Sequence, residues 1–159
     1  MLYVNVRAII ERSIPNGREI IIQKRDKPYE GETPYELPGG RINKFESYID
    51  ALKREVKEET GLTVTKIFGE STRLTTLQKS TEVEVLRPYA SYQTLKGPVD
   101  SLGLYFRCEA VGELFHTGDE TSEIRWIKIN KLKDLILNDE IQFSWVDRSG
   151  ILYYLKEFT

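Results

Sequence analysis

The order of strand-like and helix-like stretches predicts an α/β fold for this chain of 159 residues. Residues 2–11 and 19–24 are rich in apolar and β-branched side chains, and the Asn-Gly pair between them favours a tight reversal, so a β-hairpin is predicted. Residues 47–60 have a helical pattern, and residues 101–111 alternate as a strand does. Strands and helices in this order indicate one α/β domain spanning residues 1–159.

The remaining elements follow from shorter signals. Pro38, Gly39 and Gly40 predict a turn, because proline fixes φ and glycine supplies backbone freedom. Asn130 and Asp147 are predicted to cap two C-terminal helices. Further strands are predicted at residues 35–37, 63–68, 82–86 (half-buried, since Glu alternates with Val) and 124–127, and a loop at residues 26–33.

Composition excludes several classes of protein. A net charge of −2 without a basic run argues against a nucleic-acid surface. One cysteine excludes an internal disulfide framework and fits a reducing compartment. No apolar run reaches membrane length, and no signal-peptide pattern opens the chain, so a cytoplasmic protein without a membrane partner is expected. A homodimer stays open.

The helix at residues 47–60 carries the chemistry. It lacks Gly and Pro, and Gly61 provides a natural stop. Its apolar stripe consists of Tyr48, Leu52 and Val56. At 100° per residue, Glu55 and Glu59 fall beside that stripe, where two carboxylates repel each other and resist desolvation. A hard divalent cation with oxygen ligands, Mg²⁺ or Mn²⁺, would relieve both costs.

Residues 40–62 resemble the Nudix hydrolase signature, Gly-x5-Glu-x7-Arg-Glu-U-x-Glu-Glu-x-Gly-U, where U is a bulky apolar residue. The nine specified positions are Gly40, Glu46, Arg54, Glu55, Val56, Glu58, Glu59, Gly61 and Leu62. At ordinary residue frequencies, a chance match is on the order of one in a million. The resemblance implies an α/β/α sandwich around a mixed β-sheet, and metal-dependent hydrolysis of a pyrophosphate bond in a nucleoside diphosphate-linked small molecule.

The resemblance also implies roles for individual residues. Glu55 and Glu59 are expected to be the main metal ligands, with Glu58 and the carbonyl of Gly39 completing the shell. These are hard oxygen ligands, as Mg²⁺ and Mn²⁺ require.

Three further residues are expected to serve catalysis, two at signature positions and one in a loop distant in sequence. Arg54 and Glu46 would form a charge pair that fixes the helix to the preceding loop. The general base is expected in the acidic loop at residues 118–123, and Glu120 is preferred over its neighbours. If no carboxylate of that loop serves, Glu58 is the remaining candidate for the base.

Substrate contacts are less sharply defined. Arg25 follows the second strand, where an arginine would face phosphates or lie on the surface. Tyr89 and Tyr92 would either stack on a nucleobase or pack inside the protein. Cys108 is expected in the core, and His116, as a single histidine, argues against a zinc site.

Two alternatives share the fold. A nucleotide-sensing module would bind nucleotides with weak catalysis or none, but such domains often lose the paired glutamates that this chain has. An isopentenyl diphosphate isomerase needs a reactive cysteine and additional histidines, which the single Cys108 and His116 do not provide. The nucleoside derivative itself is not defined by the sequence: the first proline after the signature is Pro88, later than ADP-ribose-cleaving relatives place one.

Overall fold

The computed structural model describes residues 1–26 and 33–159, so the centre of the loop predicted at residues 26–33 lies outside the described residues. The strands are β1 (Tyr3–Ile14), β2 (Gly17–Arg25), β3 (Tyr35–Glu36), β4 (Gly39–Arg41), β5 (Thr63–Ile67), β6 (Leu74–Gln78), β7 (Thr81–Val85), β8 (Ala90–Gln93), β9 (Ser101–Val111), β10 (Thr117–Gly118) and β11 (Thr121–Lys128). The helices are α1 (Tyr48–Thr60), α2 (Ile129–Leu137) and α3 (Trp145–Phe158). Among the described residues, no helix is long and apolar enough to cross a membrane.

A mixed sheet forms the centre of the molecule. Its main path runs β10-β11-β2-β1-β9-β5, while β3 pairs with β2, β4 with β1 and β8 with β9. Strands β1 and β9 run parallel, and the other pairs are antiparallel. The predicted first hairpin is confirmed, with Ile14 opposite Gly17 at its turn.

Side-chain alternation along β1 divides the core into two layers. Val6, Ala8 and Ile10 face α1, and Ile9 faces α2 and α3 with Leu132. Because successive side chains of a strand point to opposite faces, one apolar strand serves both layers. Helices therefore cover both faces of the sheet, and the predicted α/β/α sandwich is confirmed.

Helix α1 begins and ends where the sequence predicts. The Ser47 hydroxyl accepts a hydrogen bond from the Asp50 amide at 3.1 Å. Gly61 ends the helix with φ at 80°, a conformation that glycine adopts without steric cost. The predicted stripe faces the core, since Leu52 and Val56 are buried and Tyr48 packs beside them.

Both predicted C-terminal caps are wrong by a few residues. Helix α2 begins at Ile129, with Lys128 at the N-cap, so Asn130 lies inside its first turn. Helix α3 has Ser144 at its N-cap, and Asp147 is fully buried three residues further on. A capping aspartate is solvated, whereas Asp147 has a partner inside the protein.

The predicted Pro-Gly-Gly turn is shortened to a bend at Pro38. Gly39 and Gly40 belong to strand β4, where they lie opposite Arg7 and Val6 of β1. Gly39 has φ at 153°, and a Cβ there would collide with the Val6 carbonyl. The glycine is therefore required because two backbones approach closely.

Strand β7 confirms a predicted strand but not its predicted burial. It pairs with β6 in a separate two-stranded sheet. Val83 and Val85 are 50% and 63% exposed, because this hairpin stands away from the main sheet.

Candidate active site

A cavity of about 950 Å³ lies where β1, β4, the C-terminal half of α1 and the start of α3 meet. Carboxylates of Glu55, Glu58 and Glu59 line one side of it. The structure thus gathers three of the predicted metal ligands on one wall, together with Gly39.

Arg54 binds the acidic groups on the outer side of this wall. Its Nε and Nη2 donate to the two oxygens of Glu46, each at 2.8 Å. It also donates to the Arg41 carbonyl at 3.0 Å and to Glu55 Oε1 at 2.7 Å. The bond from Arg54 lowers the pKa of Glu46 to about 2. This two-pronged pair fixes the loop before α1 to the helix.

Glu59 lies at the inner side of the wall, and its charge is compensated far less than that of Glu46. Its Oε2 accepts hydrogen bonds from Gln23 Nε2 at 2.7 Å and from the Gly39 amide at 3.0 Å. Contact with Gly39 is therefore made through the N–H group. Burial raises the pKa of Glu59 to about 8, despite the attraction of Arg7.

Glu55 is placed between these two environments. A Cβ on Gly40 would lie 2.7 Å from the carbon and both oxygens of its carboxyl group, so the glycine leaves room for that group. Burial raises the pKa of Glu55, and the bond from Arg54 opposes the shift. The Glu58 side chain is about half exposed, and its Oε2 lies 3.4 Å from Arg54 Nη1.

A buried ionic network lies next to the acidic side of the cavity. It was not predicted from the sequence. Arg7 donates to both oxygens of Asp147, at 3.0 and 2.6 Å, and to the Leu37 carbonyl at 2.6 Å. Glu36 Oε2 lies 3.7 Å from the same guanidinium. The available signal was a charged residue within the apolar strand β1, which costs free energy unless it is paired.

Gln23 was also missed. It is fully buried after three consecutive isoleucines, and its amide lies between Glu59 and Glu36, 3.5 Å from Glu36 Oε1. Its own Oε1 and Glu36 Oε2 have no hydrogen-bond partner within residues 1–26 and 33–159. Buried polar atoms without partners are rare, so such a cluster indicates a site rather than ordinary core.

The acidic loop lies beside the C-terminal end of α1 and borders the same cavity. Asp119, Glu120 and Thr121 line the cavity, and the Thr121 hydroxyl donates to the Glu59 carbonyl at 3.4 Å. Glu120 has a left-handed backbone with φ at 54°. Glu123 instead binds Lys24 at 2.8 Å on the surface. The loop therefore presents Glu120, the predicted base, to the same space as the helix carboxylates.

Of the three residues predicted to contact the substrate, one lines the cavity and two do not. Arg25 lines the cavity, with its Nη1 3.5 Å from Glu36 Oε2. Tyr89 packs in an aromatic cluster beside α3, and its hydroxyl donates to Glu157 at 2.6 Å. Neither Tyr89 nor Tyr92 lines the cavity, so the structure does not place them for base stacking.

The carboxylates of Glu55, Glu58 and Glu59 fit a hard divalent cation. They supply oxygen ligands, and the buried ones have little positive charge nearby to compensate their own. Within the described residues, no three acidic, histidine or cysteine side chains are already grouped as metal ligands. Arg54 holds Glu55, and Gln23 holds Glu59. A cation would therefore replace these bonds with its own.

Comparison with known proteins identifies the family. The family model described as "NUDIX domain" matches residues 2–148. An ADP-ribose pyrophosphatase of Methanocaldococcus jannaschii is 28% identical over 138 residues, which are 86% of this chain and 68% of that protein. A putative 8-oxo-dGTP diphosphatase of Bacillus subtilis is 36% identical over 73 residues, which are 41% of this chain and 46% of that protein.

Two solved structures share the fold. A MutT protein, from work on Aliivibrio salmonicida and Vibrio cholerae, has a TM-score of 0.67 at 21% identity, covering 99% of this chain and all of that one. The NUDIX domain of Shewanella oneidensis NrtR, solved with ADP-ribose, has a TM-score of 0.66 at 13% identity, covering 100% and 90%. Because the family model extends over nearly the whole chain, this protein belongs to the Nudix hydrolase family.

Proposed function

We propose that this protein hydrolyses the pyrophosphate bond of a nucleoside diphosphate derivative with the help of Mg²⁺ or Mn²⁺. The observation that carries the proposal is Glu59, a carboxylate buried beside Glu55 that accepts hydrogen bonds from neutral amides and has no ion pair with any residue that the structure describes. Glu55, Glu58 and Glu59 would hold the cation. When bound, it would neutralise charge on the phosphate oxygens.

The chain's own groups supply the other parts. Arg25 would bind the phosphates from its position in the cavity lining. Glu120 would accept a proton from the attacking water, and its place on the cavity wall supports this role. Arg54 and Glu46 would hold the start of α1 so that its carboxylates keep their orientation.

The relatives' names suggest which derivatives to test first. ADP-ribose and 8-oxo-dGTP are both named among proteins similar to this one. A cavity of about 950 Å³ lies at the upper end of small-molecule sites, which suits a whole nucleotide derivative better than pyrophosphate alone. The buried free thiol of Cys108 supports a reducing, cytoplasmic location.

The test is a substrate panel with Mg²⁺, with Mn²⁺ and with a chelator. It includes ADP-ribose, 8-oxo-dGTP, nucleoside triphosphates, sugar nucleotides and dinucleoside polyphosphates. Release of a nucleoside monophosphate that depends on the metal would support the proposal. Tight binding of a nucleotide without turnover would instead favour a sensing module.

Variants of the acidic loop test the base. Glu120→Gln should lower kcat by roughly 10²- to 10⁴-fold, the usual contribution of general base catalysis. Asp119→Asn and Glu123→Gln remove the same charge nearby and serve as controls. Equal losses in all three would indicate a general electrostatic effect, and no loss in any would move the role to Glu58.

A further inference from the structure

Three side chains at one end of the cavity form a closed triangle of hydrogen bonds. Asn5 Nδ2 lies 2.9 Å from the Tyr92 hydroxyl and 3.0 Å from the Ser101 hydroxyl, and the two hydroxyls are 3.0 Å apart. Asn5 and Ser101 line the cavity, and Tyr92 stands behind them. The tyrosine therefore contacts the site only through its neighbours.

Counting hydrogens fixes the orientation of the Asn5 amide. Each of the three contacts needs one hydrogen atom. If Oδ1 were at the corner of the triangle, the two hydroxyls would supply only two hydrogens for three contacts. With the NH₂ group there, four hydrogens are available, so every contact is satisfied. Asn5 Oδ1 is consequently turned away from both hydroxyls.

The backbone around this triangle makes room for it. Asn5, Gly103 and Tyr92 are neighbours in register across β1, β9 and β8. A Cβ on Gly103 would collide with the Tyr92 ring and lie 2.9 Å from the Asn5 carbonyl oxygen. A glycine inside a strand weakens it, so its presence here indicates a close approach that the fold requires.

Asn5 Oδ1 is left as an unused acceptor on a residue that lines the cavity. It has no hydrogen-bond partner in the part of the chain that the structure describes. Asn5 lies opposite Arg41, two residues along β1 from Arg7, which lies opposite Gly39. At about 3.4 Å per residue, the backbone of Asn5 is therefore displaced by about 7 Å along the strand from the level at which Gly39 binds Glu59.

We propose that Asn5 Oδ1 determines base specificity by accepting a hydrogen bond from the exocyclic amino group of an adenine or cytosine base. This assignment rests on the proposed function, because it places the base at the end of the cavity away from the acidic wall. A phosphate group carries only acceptor oxygens and would be repelled by Oδ1. Adenine and cytosine present an amino donor where the corresponding keto bases present an acceptor.

Hydrolysis of matched substrate pairs tests the assignment. ADP-ribose is compared with its hypoxanthine analogue, and CTP with UTP. The wild-type protein should prefer the amino member of a pair by on the order of 10- to 100-fold in kcat/KM, since the keto member leaves two acceptors facing each other. Asn5→Val, which retains strand propensity, should abolish this preference.

Tyr92→Phe provides a second variant that is safer for folding. It removes one corner of the triangle and no cavity-lining atom, so the amide should lose its fixed orientation and the preference should fall. Tyr154→Phe is the control, because Tyr154 shares a core layer with Tyr92 and its hydroxyl also has a hydrogen-bond partner, but that partner is Arg18 and not a member of the triangle. It should leave the preference unchanged.

A binding measurement separates this inference from the proposed function. Affinities for AMP against IMP, and for CMP against UMP, are measured by calorimetry with chelator present. If nothing is hydrolysed but AMP binds better than IMP only while Asn5 is intact, the reaction is wrong and the base contact stands. Equal affinities in the wild-type protein, or a preference that survives Asn5→Val, would overturn the assignment. Sensitivity to loss of the ribose 2′-hydroxyl instead of the amino group would overturn it as well.

Discussion

Two glutamates of the signature segment, Glu46 and Glu59, have opposite electrostatic surroundings. The bidentate bond from Arg54 lowers the pKa of Glu46 to about 2. Burial raises the pKa of Glu59 to about 8, and its hydrogen-bond donors are the neutral amides of Gln23 and Gly39. The contrast distinguishes Glu46, which has a structural partner, from Glu59, which we propose as a metal ligand.

Arg7 explains why Glu59 stays uncompensated. The positive charge of Arg7 opposes the rise in the pKa of Glu59. Its guanidinium, however, donates its hydrogen bonds to Asp147 and to the Leu37 carbonyl. Glu36 adds a further carboxylate nearby, and burial raises its pKa too. Negative charge therefore exceeds positive charge on the inner side of α1, where a divalent cation would be stabilising.

The largest effect is expected for Glu59→Gln, which should abolish metal-dependent hydrolysis and leave the fold intact. The same variant should change how stability depends on pH in the metal-free protein. Because the folded-state pKa of about 8 lies above the ordinary 4.5, Glu59 is destabilising once it ionises. Wild-type unfolding free energy should thus fall between pH 4.5 and 8, by up to about 1.4 kcal/mol per pH unit.

Urea unfolding in chelator across this pH range measures the slope. Glu59→Gln should flatten it, and Mg²⁺ should oppose it in the wild-type protein alone. Turnover with Mg²⁺ in the variant would remove Glu59 from the site.

Breaking the buried ionic network around Arg7 should lower the unfolding free energy more than any other single substitution predicted here. Arg7→Met leaves Asp147 buried without its cation, so the unfolding free energy should fall by about 3–5 kcal/mol. The double variant Arg7→Met/Asp147→Leu removes both charges and should recover much of that loss. Urea unfolding of the three proteins decides the point, and a loss below about 1 kcal/mol in the single variant would contradict it.

A smaller effect is expected at the outer pair. Arg54→Lys keeps the charge and loses the bidentate geometry, so stability should fall by about 1–2 kcal/mol. Because the lowered pKa of Glu46 contributes stability that is lost as pH falls from 4.5 towards 2, acid unfolding should begin at a higher pH in the variant. An acid transition identical to that of the wild-type protein would show that the geometry is unimportant.

The smallest effect is expected beside Glu46, at Phe45. This residue has φ at 61° and is 97% exposed, so its backbone is strained without burial of the ring in return. Phe45→Gly should raise the unfolding free energy by about 0.5–1 kcal/mol, and Phe45→Asn by less. Thermal unfolding provides the measurement, and a loss of stability would mean that the ring makes contacts of its own.

The outer pair and helix α1 were predictable because their signals are local. Ser47, Gly61 and the four-residue apolar repeat lie within one short segment, and Arg54 is eight residues from Glu46. Long-range contacts leave no such pattern. Arg7 and Asp147 are 140 residues apart, so a capping role was the local interpretation of a residue that is buried.

Tyr92 illustrates the same limit in the site itself. Its sequence neighbourhood is typical of both packing and stacking, and the structure gives it a third role, contact with Asn5 across Gly103. Only the register of three strands brings these residues together, and register depends on the whole sheet.

The ion pair between Arg7 and Asp147 also sets an order of events during synthesis. Arg7 leaves the ribosome long before Asp147, and until α3 docks, the base of the cavity carries a guanidinium without its carboxylate. Contacts of such high sequence separation form late and slowly. A nascent chain stalled before α3 would leave the Arg7 guanidinium without Asp147, the carboxylate that both of its donating nitrogens contact in the folded protein.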